Sequence, residues 1–236
     1  MKKVLLLLLL CVTVINSTAF SAADAGKARD FYNNGRYSAA AKIYKDMLSN
    51  GYDKGMVYFN LANCYFKTGK YVDAIYYYEK AKQLRPLDKR IIKNLDIVKA
   101  KADIENTYNI ERGLFFFAPV DILKIGFLVF LTLLLLDLSY INIKKRSNFV
   151  LIFILLLFVI DGTMLFYKIG YEKNVKFGIV RAATNLYAEP RAESEAKEQL
   201  AAGSRVKILE DFNNYFRVKI NKDLTGWLKK SKIEEL

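Results

Sequence analysis

The chemistry open to this chain is narrowed first by what it lacks: it has no histidine and only two cysteines, Cys11 and Cys64. Without an imidazole, a serine or cysteine nucleophile loses its commonest activating base, and histidine-ligated metal sites are excluded. Two thiols cannot complete a four-thiolate zinc site. Cys64 sits at a packing position of a helical pattern, so it reads as a small buried hydrophobe rather than a reactive thiol. Carboxylate or Ser/Lys catalysis would need its own constellation, and none stands out. The expectation is a non-enzymatic protein with no catalytic residues, no metal and no cofactor. Two acids are placed unusually, because Asp137 and Asp161 interrupt long apolar runs. An ionised Asp deep in a bilayer costs roughly 2.5–3.5 kcal/mol on insertion scales. Asp137 lies close to the cationic Lys144–Arg146 cluster, within reach of lipid headgroups, and reads as tolerated there. Asp161 is deeper and has two readings: contact with a polar group on a partner membrane helix, or a snorkelling or protonated side chain.

The elements that must carry these residues follow from composition. The 236 residues are 53% apolar yet 26% charged, so the apolar residues are gathered in blocks. Met1-Lys2-Lys3, the apolar run from Val4 to about Ile15, and Ser21-Ala22-Ala23 have the order of a secretory signal peptide over 1–23. Residues 122–141 and 149–169 are each long enough to cross a bilayer as a helix. The loop between them, 142–148, contains Lys144-Lys145-Arg146 and is expected to stay cytoplasmic. Exported N-terminal residues, one span in and one span out then place 24–105 and 175–236 on the same, exported side, with 106–121 as a linker. The formal charge of +13 is spread over all these blocks, which speaks against a nucleic-acid partner.

Within 24–105 the sequence repeats. Gly35-Arg36-Tyr37 and Gly69-Lys70-Tyr71 lie 34 residues apart, and the same offset pairs Ala40 with Ala74 and Tyr44 with Tyr78. The small residues allow close helix approach, the tyrosines fill the gaps, and the glycines permit tight turns. Tyr58 to Tyr71, followed by Ala74, Tyr78, Ala81 and Pro86, resembles a tetratricopeptide repeat (TPR). Two repeats, about 21–54 and 55–88, are followed by a capping helix with Ile91, Leu95 and Val98 as its stripe. The resemblance implies that the first helix of each pair lines a concave peptide-binding face. That face would carry Arg29, Tyr32 and Asn33, then Phe59, Asn63, Phe66 and Lys67, then Arg90, Lys93, Ile97 and Lys101. Cations around aromatic rings suit an acidic peptide or a C-terminal carboxylate. The family's carboxylate clamp is matched at Asn63 and Arg90 but not at Ala25 and Asn94.

From 175 onward the period changes to two: Val206 and Ile208 alternate with Arg205 and Lys207, and Phe216, Val218 and Ile220 with Arg217 and Lys219. Several short strands in so few residues predict a small barrel. Asn185 to Pro190, Leu200 to Val206 and Thr225-Gly226-Trp227-Leu228 resemble the bacterial SH3 domain, although Tyr187 and Glu189 replace its usual Arg and Gly. On that barrel Tyr187, Tyr215 and Trp227 are candidates for an aromatic ligand groove.

The fold class expected is thus a multidomain membrane protein: all-α TPR hairpins, two transmembrane helices and a small all-β SH3-like barrel. In this order the blocks resemble the BatE-type family of the Bacteroides aerotolerance operons, as does the stretch Asn94 to Lys101 that follows the repeats. The resemblance implies an inner-membrane component working with von Willebrand A-domain membrane proteins in oxygen or oxidative-stress tolerance. The expected function is a non-enzymatic scaffold that recruits envelope proteins through its two exported modules and contacts membrane lipid. The alternative is an envelope anchor that binds the peptides of peptidoglycan.

Overall fold

The structure, a computed structural model, describes residues 24–50, 52–104, 120, 123–133, 149–191 and 193–236. The expected signal peptide at 1–23, nearly all of the linker, the second half of the first span with Asp137, and the basic loop 142–148 lie outside the described residues.

Helix α1 covers 24–33 and pairs with α2 (Tyr37–Met47); α3 (Lys54–Lys67) pairs with α4 (Tyr71–Leu84); α5 (Lys89–Lys101) follows. The 34-residue period recurs as geometry. Gly35 and Gly69 both have φ +74, the left-handed value that glycine adopts at a helix C-terminus. Beyond each glycine the next amide bonds back to the fifth residue before it: Arg36 N to Phe31 O at 2.8 Å and Lys70 N to Tyr65 O at 3.0 Å. Asp53 and Asp88 cap α3 and α5 by accepting from Met56 N and Arg90 N. The alanines and tyrosines of the repeat meet as expected: Ala40, Ala62, Ala74, Tyr78 and Ala81 are all fully buried. Two apolar clusters result, one uniting the first repeat with Val57, Leu61 and Cys64, the other joining Tyr78 to Ile91, Leu95 and Val98.

The C-terminal block forms a seven-stranded antiparallel sheet: β1 (Lys176–Val180), β2 (Thr184–Tyr187), β3 (Ala196–Leu200), β4 (Arg205–Phe212), β5 (Tyr215–Lys219), β6 (Thr225–Lys229) and β7 (Ile233–Glu235). Its order is β3-β2-β6-β5-β4-β1-β7. Alternate side chains, among them Leu186, Val206, Phe216, Val218 and Leu228, close one apolar core. Gly226 is required where β6 passes β2. A Cβ there would stand 2.7 Å from the Tyr187 carbonyl oxygen and 2.6 Å from Leu186 Cγ. Gly226→Ala is accordingly expected to destabilise the barrel by about 1–3 kcal/mol, the usual cost of overpacking. A lowered unfolding midpoint in urea checks this.

Helix α7 (Phe149–Asn174) contains the one described segment long and apolar enough to cross a membrane, Ile152–Tyr171, with mean hydropathy 2.1. Helix α6 (Leu123–Leu133) is apolar but, over its described residues, shorter than a span requires. The two helices touch: the Phe127 and Phe158 rings are 4.5 Å apart, and the Asp161 carboxylate lies beside the backbone of Gly126. Asp161 thus faces α6. Its Oδ2 is buried and has no hydrogen-bond partner among the described residues. Only one residue separates α7 from β1.

The barrel packs against the repeats, through contacts that hydropathy patterning does not announce. Ile179 of β1 is fully buried in the α4–α5 cluster, next to Ile75 and Ile104. Gly203, at φ +94, lets the β3–β4 turn approach the same two isoleucines. At the rim Arg181 donates to Asp73 at 2.6 Å and reaches Glu234 at 3.1 Å. In the middle lies Glu79, only 1% exposed, with Lys99 Nζ at 2.9 Å and Arg205 Nε at 3.6 Å. Arg205 also stacks over the Phe177 ring at 4.1 Å.

Candidate functional site

Because the barrel covers α4, the opposite side of the repeats stays open. Between α1 and α3 runs a cleft of about 470 Å³, lined by Arg29, Tyr32, Tyr44, Met47, Tyr52, Asp53, Met56, Val57, Asn60 and Asn63, with Ala25 and Gly26 at one end. Three of the residues singled out from the sequence, Arg29, Tyr32 and Asn63, are brought together here. The rest are placed elsewhere. Asn33 and Lys67 are exposed at helix ends, Phe66 packs on Tyr71 with ring centroids 6.0 Å apart, and Lys93, Ile97 and Lys101 stand exposed along α5. Phe59 is core, pressed against Tyr78 and covered by the Arg90 guanidinium at 5.5 Å.

The clamp suggested by Asn63 and Arg90 is engaged internally. Arg90 donates from Nε and Nη2 to Asp88 at 3.0 and 2.7 Å, forming a fork against its own helix cap. Asn63 Oδ1 accepts from the Tyr78 hydroxyl and from Asn94 Nδ2 at 3.1 Å, and Asn94 also reaches the Tyr78 oxygen at 3.3 Å. Asp53 is held by Arg85, and that bond keeps its carboxyl below the usual range. Arg29 makes no ion pair among the described residues, so it is the cation the cleft offers to a carboxylate. Met47, Met56 and Val57 supply an apolar, adaptable wall, and Asn60 stands one turn before Asn63, so two amides border the groove. Sequence reasoning missed Met56 and Asn60. Their signal was the spacing 56, 60, 63 on one helix face.

Burial raises the hydroxyl pKa of Tyr32, and it pushes that of Tyr44 up to about 12. Cys64, 1% exposed behind the cleft wall, is likewise pushed up to about 12 by burial. Its thiol should therefore resist iodoacetamide at pH 8 in the folded chain and react once urea is added; mass spectrometry checks this.

On the barrel, Tyr187 lies directly across from Trp227, and Trp227 across from Arg217. Arg217 pairs in turn with Glu210 at 3.7 Å. Residues opposite one another in an antiparallel ladder share a face, so these four form one row. Phe212, 46% exposed, meets the Trp227 ring edge-on at 6.0 Å and extends the aromatic surface. Tyr215, opposite Phe212 and two residues before Arg217 on β5, shares that face but is only 9% exposed. Phe212 was not expected, because the alternation along β4 also fits a strand-end residue at the hairpin.

Among the described residues no group of histidine, cysteine or acidic side chains is arranged to hold a metal ion. Residues 26–89 match the tetratricopeptide repeat family, and residues 182–234 match the bacterial SH3 domain family. No curated protein matches the chain. Both families are typically non-catalytic binding modules. The chain therefore joins a TPR domain to a bacterial SH3 domain, two modules that suggest protein–protein interaction or cell-wall binding.

Proposed function

We propose that this protein is a non-enzymatic scaffold of a bacterial inner membrane that recruits envelope proteins through its TPR cleft. The observation that carries this reading is the docking of the barrel on α4, which leaves the α1–α3 cleft uncovered on the other side of the repeats. Arg29 would meet an acidic side chain or terminal carboxylate, Asn60 and Asn63 would border the peptide backbone, and Met47 and Met56 would take an apolar residue. The spans at 122–141 and 149–169, with 142–148 cytoplasmic, place both modules on the periplasmic side. The apolar surface of α7, with Ile152, Leu156 and Phe166 exposed, supports contact with lipid. The likeness in block order to BatE-type proteins supports a role in aerotolerance beside von Willebrand A-domain membrane proteins. Cross-linking and affinity purification of the full chain in detergent test it. Recovery of envelope proteins that is lost with Arg29→Ala is the expected result, and a lone protein with no partner overturns it.

A second reading, an anchor to peptidoglycan peptides, is favoured by the half-buried pair Tyr187 and Trp227 with the exposed Phe212 beside it. The full chain in detergent would then sediment with purified sacculi, and Trp227→Ala would abolish sedimentation. Sedimentation that is absent, or unchanged in the variant, removes this reading.

A further inference from the structure

On the side of α2 away from the peptide cleft, a second recess of about 230 Å³ opens between α2, the C-terminal end of α3 and the turn that follows. None of its lining residues lines the cleft. Lys42 and Lys45 line it from one face of α2 and Lys70 from the α3–α4 turn, all three exposed, and Ser38 and Tyr65 add hydroxyls. No acidic residue lines it. Among the described residues none of these three lysines makes an ion pair. Lys45 rests its ammonium 5.6 Å from the Tyr65 ring centre. The acid that acts on Lys45 from nearby, Asp73, is itself paired with Arg181 at 2.6 Å.

Three lysines and no acid border this one concavity, so an anion seated there meets donors of one sign from three sides. Lysine is a compact charge with three rotatable donors, which suits a phosphate better than a planar carboxylate. We propose that this recess is a binding site for a phosphate group, carried either by a free phosphate compound or by a phospholipid headgroup. It is separate from the peptide cleft and does not depend on the function proposed for it.

The test uses the full chain in neutral detergent micelles. One arm titrates inorganic phosphate against chloride at matched ionic strength; the other titrates phosphatidylglycerol into the micelles. Both follow the thermal unfolding midpoint. The midpoint is expected to rise and saturate in at least one arm, with apparent affinity falling at least tenfold in K42Q/K45Q/K70Q. The matched-charge variant K27Q/K54Q/K89Q, whose three lysines are exposed elsewhere, should respond like the wild type. Saturation with inorganic phosphate assigns a free phosphate source, and saturation only with lipid assigns a headgroup. No saturable rise in either arm, or an equal rise in the recess variant, overturns the proposal. Circular dichroism checks that the recess variant is folded; if it is not, Lys45→Gln alone serves, with the same criteria.

Discussion

Replacing Glu79 by alanine is expected to destabilise the protein by about 3–5 kcal/mol, the cost of breaking a buried ion pair from one side. The carboxylate faces Lys99 and Arg205, and both cations are largely withdrawn from water. Removing it takes away the carboxylate that Lys99 and Arg205 share at the junction of the repeats and the barrel. Burial by itself would raise the Glu79 pKa from its ordinary 4.5, but Arg205, Lys99 and Lys82 outweigh it and hold the group at about 2. A folded-state pKa below the unfolded one means that the unfolded chain binds the proton more tightly. The stabilisation is therefore complete above about pH 5 and is lost as pH falls from there toward 2. At 1.36 kcal/mol per unit this amounts to about 3 kcal/mol. Urea unfolding in detergent at pH 7 and pH 3 measures it, with Glu79→Gln as the comparison of equal volume. Because pH 3 lies about 1.5 units below the unfolded pKa and still above the folded one, the wild type should lose about 2 kcal/mol of this between the two pH values, and the Gln variant should not. Equal pH dependence in the two would refute the assignment to Glu79.

The second large effect concerns Tyr78. Its ring is fully buried among Ala62, Ala74, Ala81, Ile91 and Leu95, and its hydroxyl reaches the cleft side through Asn63 and Asn94. Tyr78→Ala should cost about 3–5 kcal/mol, as deletions of large buried rings do. Tyr78→Phe keeps the ring and removes one donor, and should cost about 1 kcal/mol. The two variants separate packing from the amide network. In the Phe variant Asn63 keeps only the bond from Asn94, so peptide binding should change more than stability does. Calorimetric unfolding together with a binding titration reads both. Equal losses in the two variants would mean that the hydroxyl, not the ring, holds the repeats together.

The parts of the fold that were legible in the chain are those governed by short-range rules. Gly35 and Gly69 announce turns because only glycine takes φ near +74 cheaply, and the alternation in Arg205 to Ile208 announces a strand because side chains on a pleated strand switch faces. Arg29, Tyr32 and Asn63 reached the cleft because they follow the repeat's own helical spacing. Arg90 follows the same spacing, yet it turned to Asp88, two residues away, where the helix cap offers a carboxylate in fork geometry. Phe59 was taken up by the core because Tyr78 and Arg90 close over it.

By itself, then, the sequence determined the kinds of element, their order, the repeat and the two domain families, since each depends on periodicity, turn chemistry or block composition. The tertiary structure alone decided which surfaces remain open. Glu79 and Arg205 are far apart in sequence and each looks like an ordinary surface charge. They are buried together only because Ile75, Ile104 and Ile179 bring the barrel onto α4, and burial is a property of that packing rather than of any local pattern. The same packing leaves the α1–α3 cleft and the lysine recess uncovered.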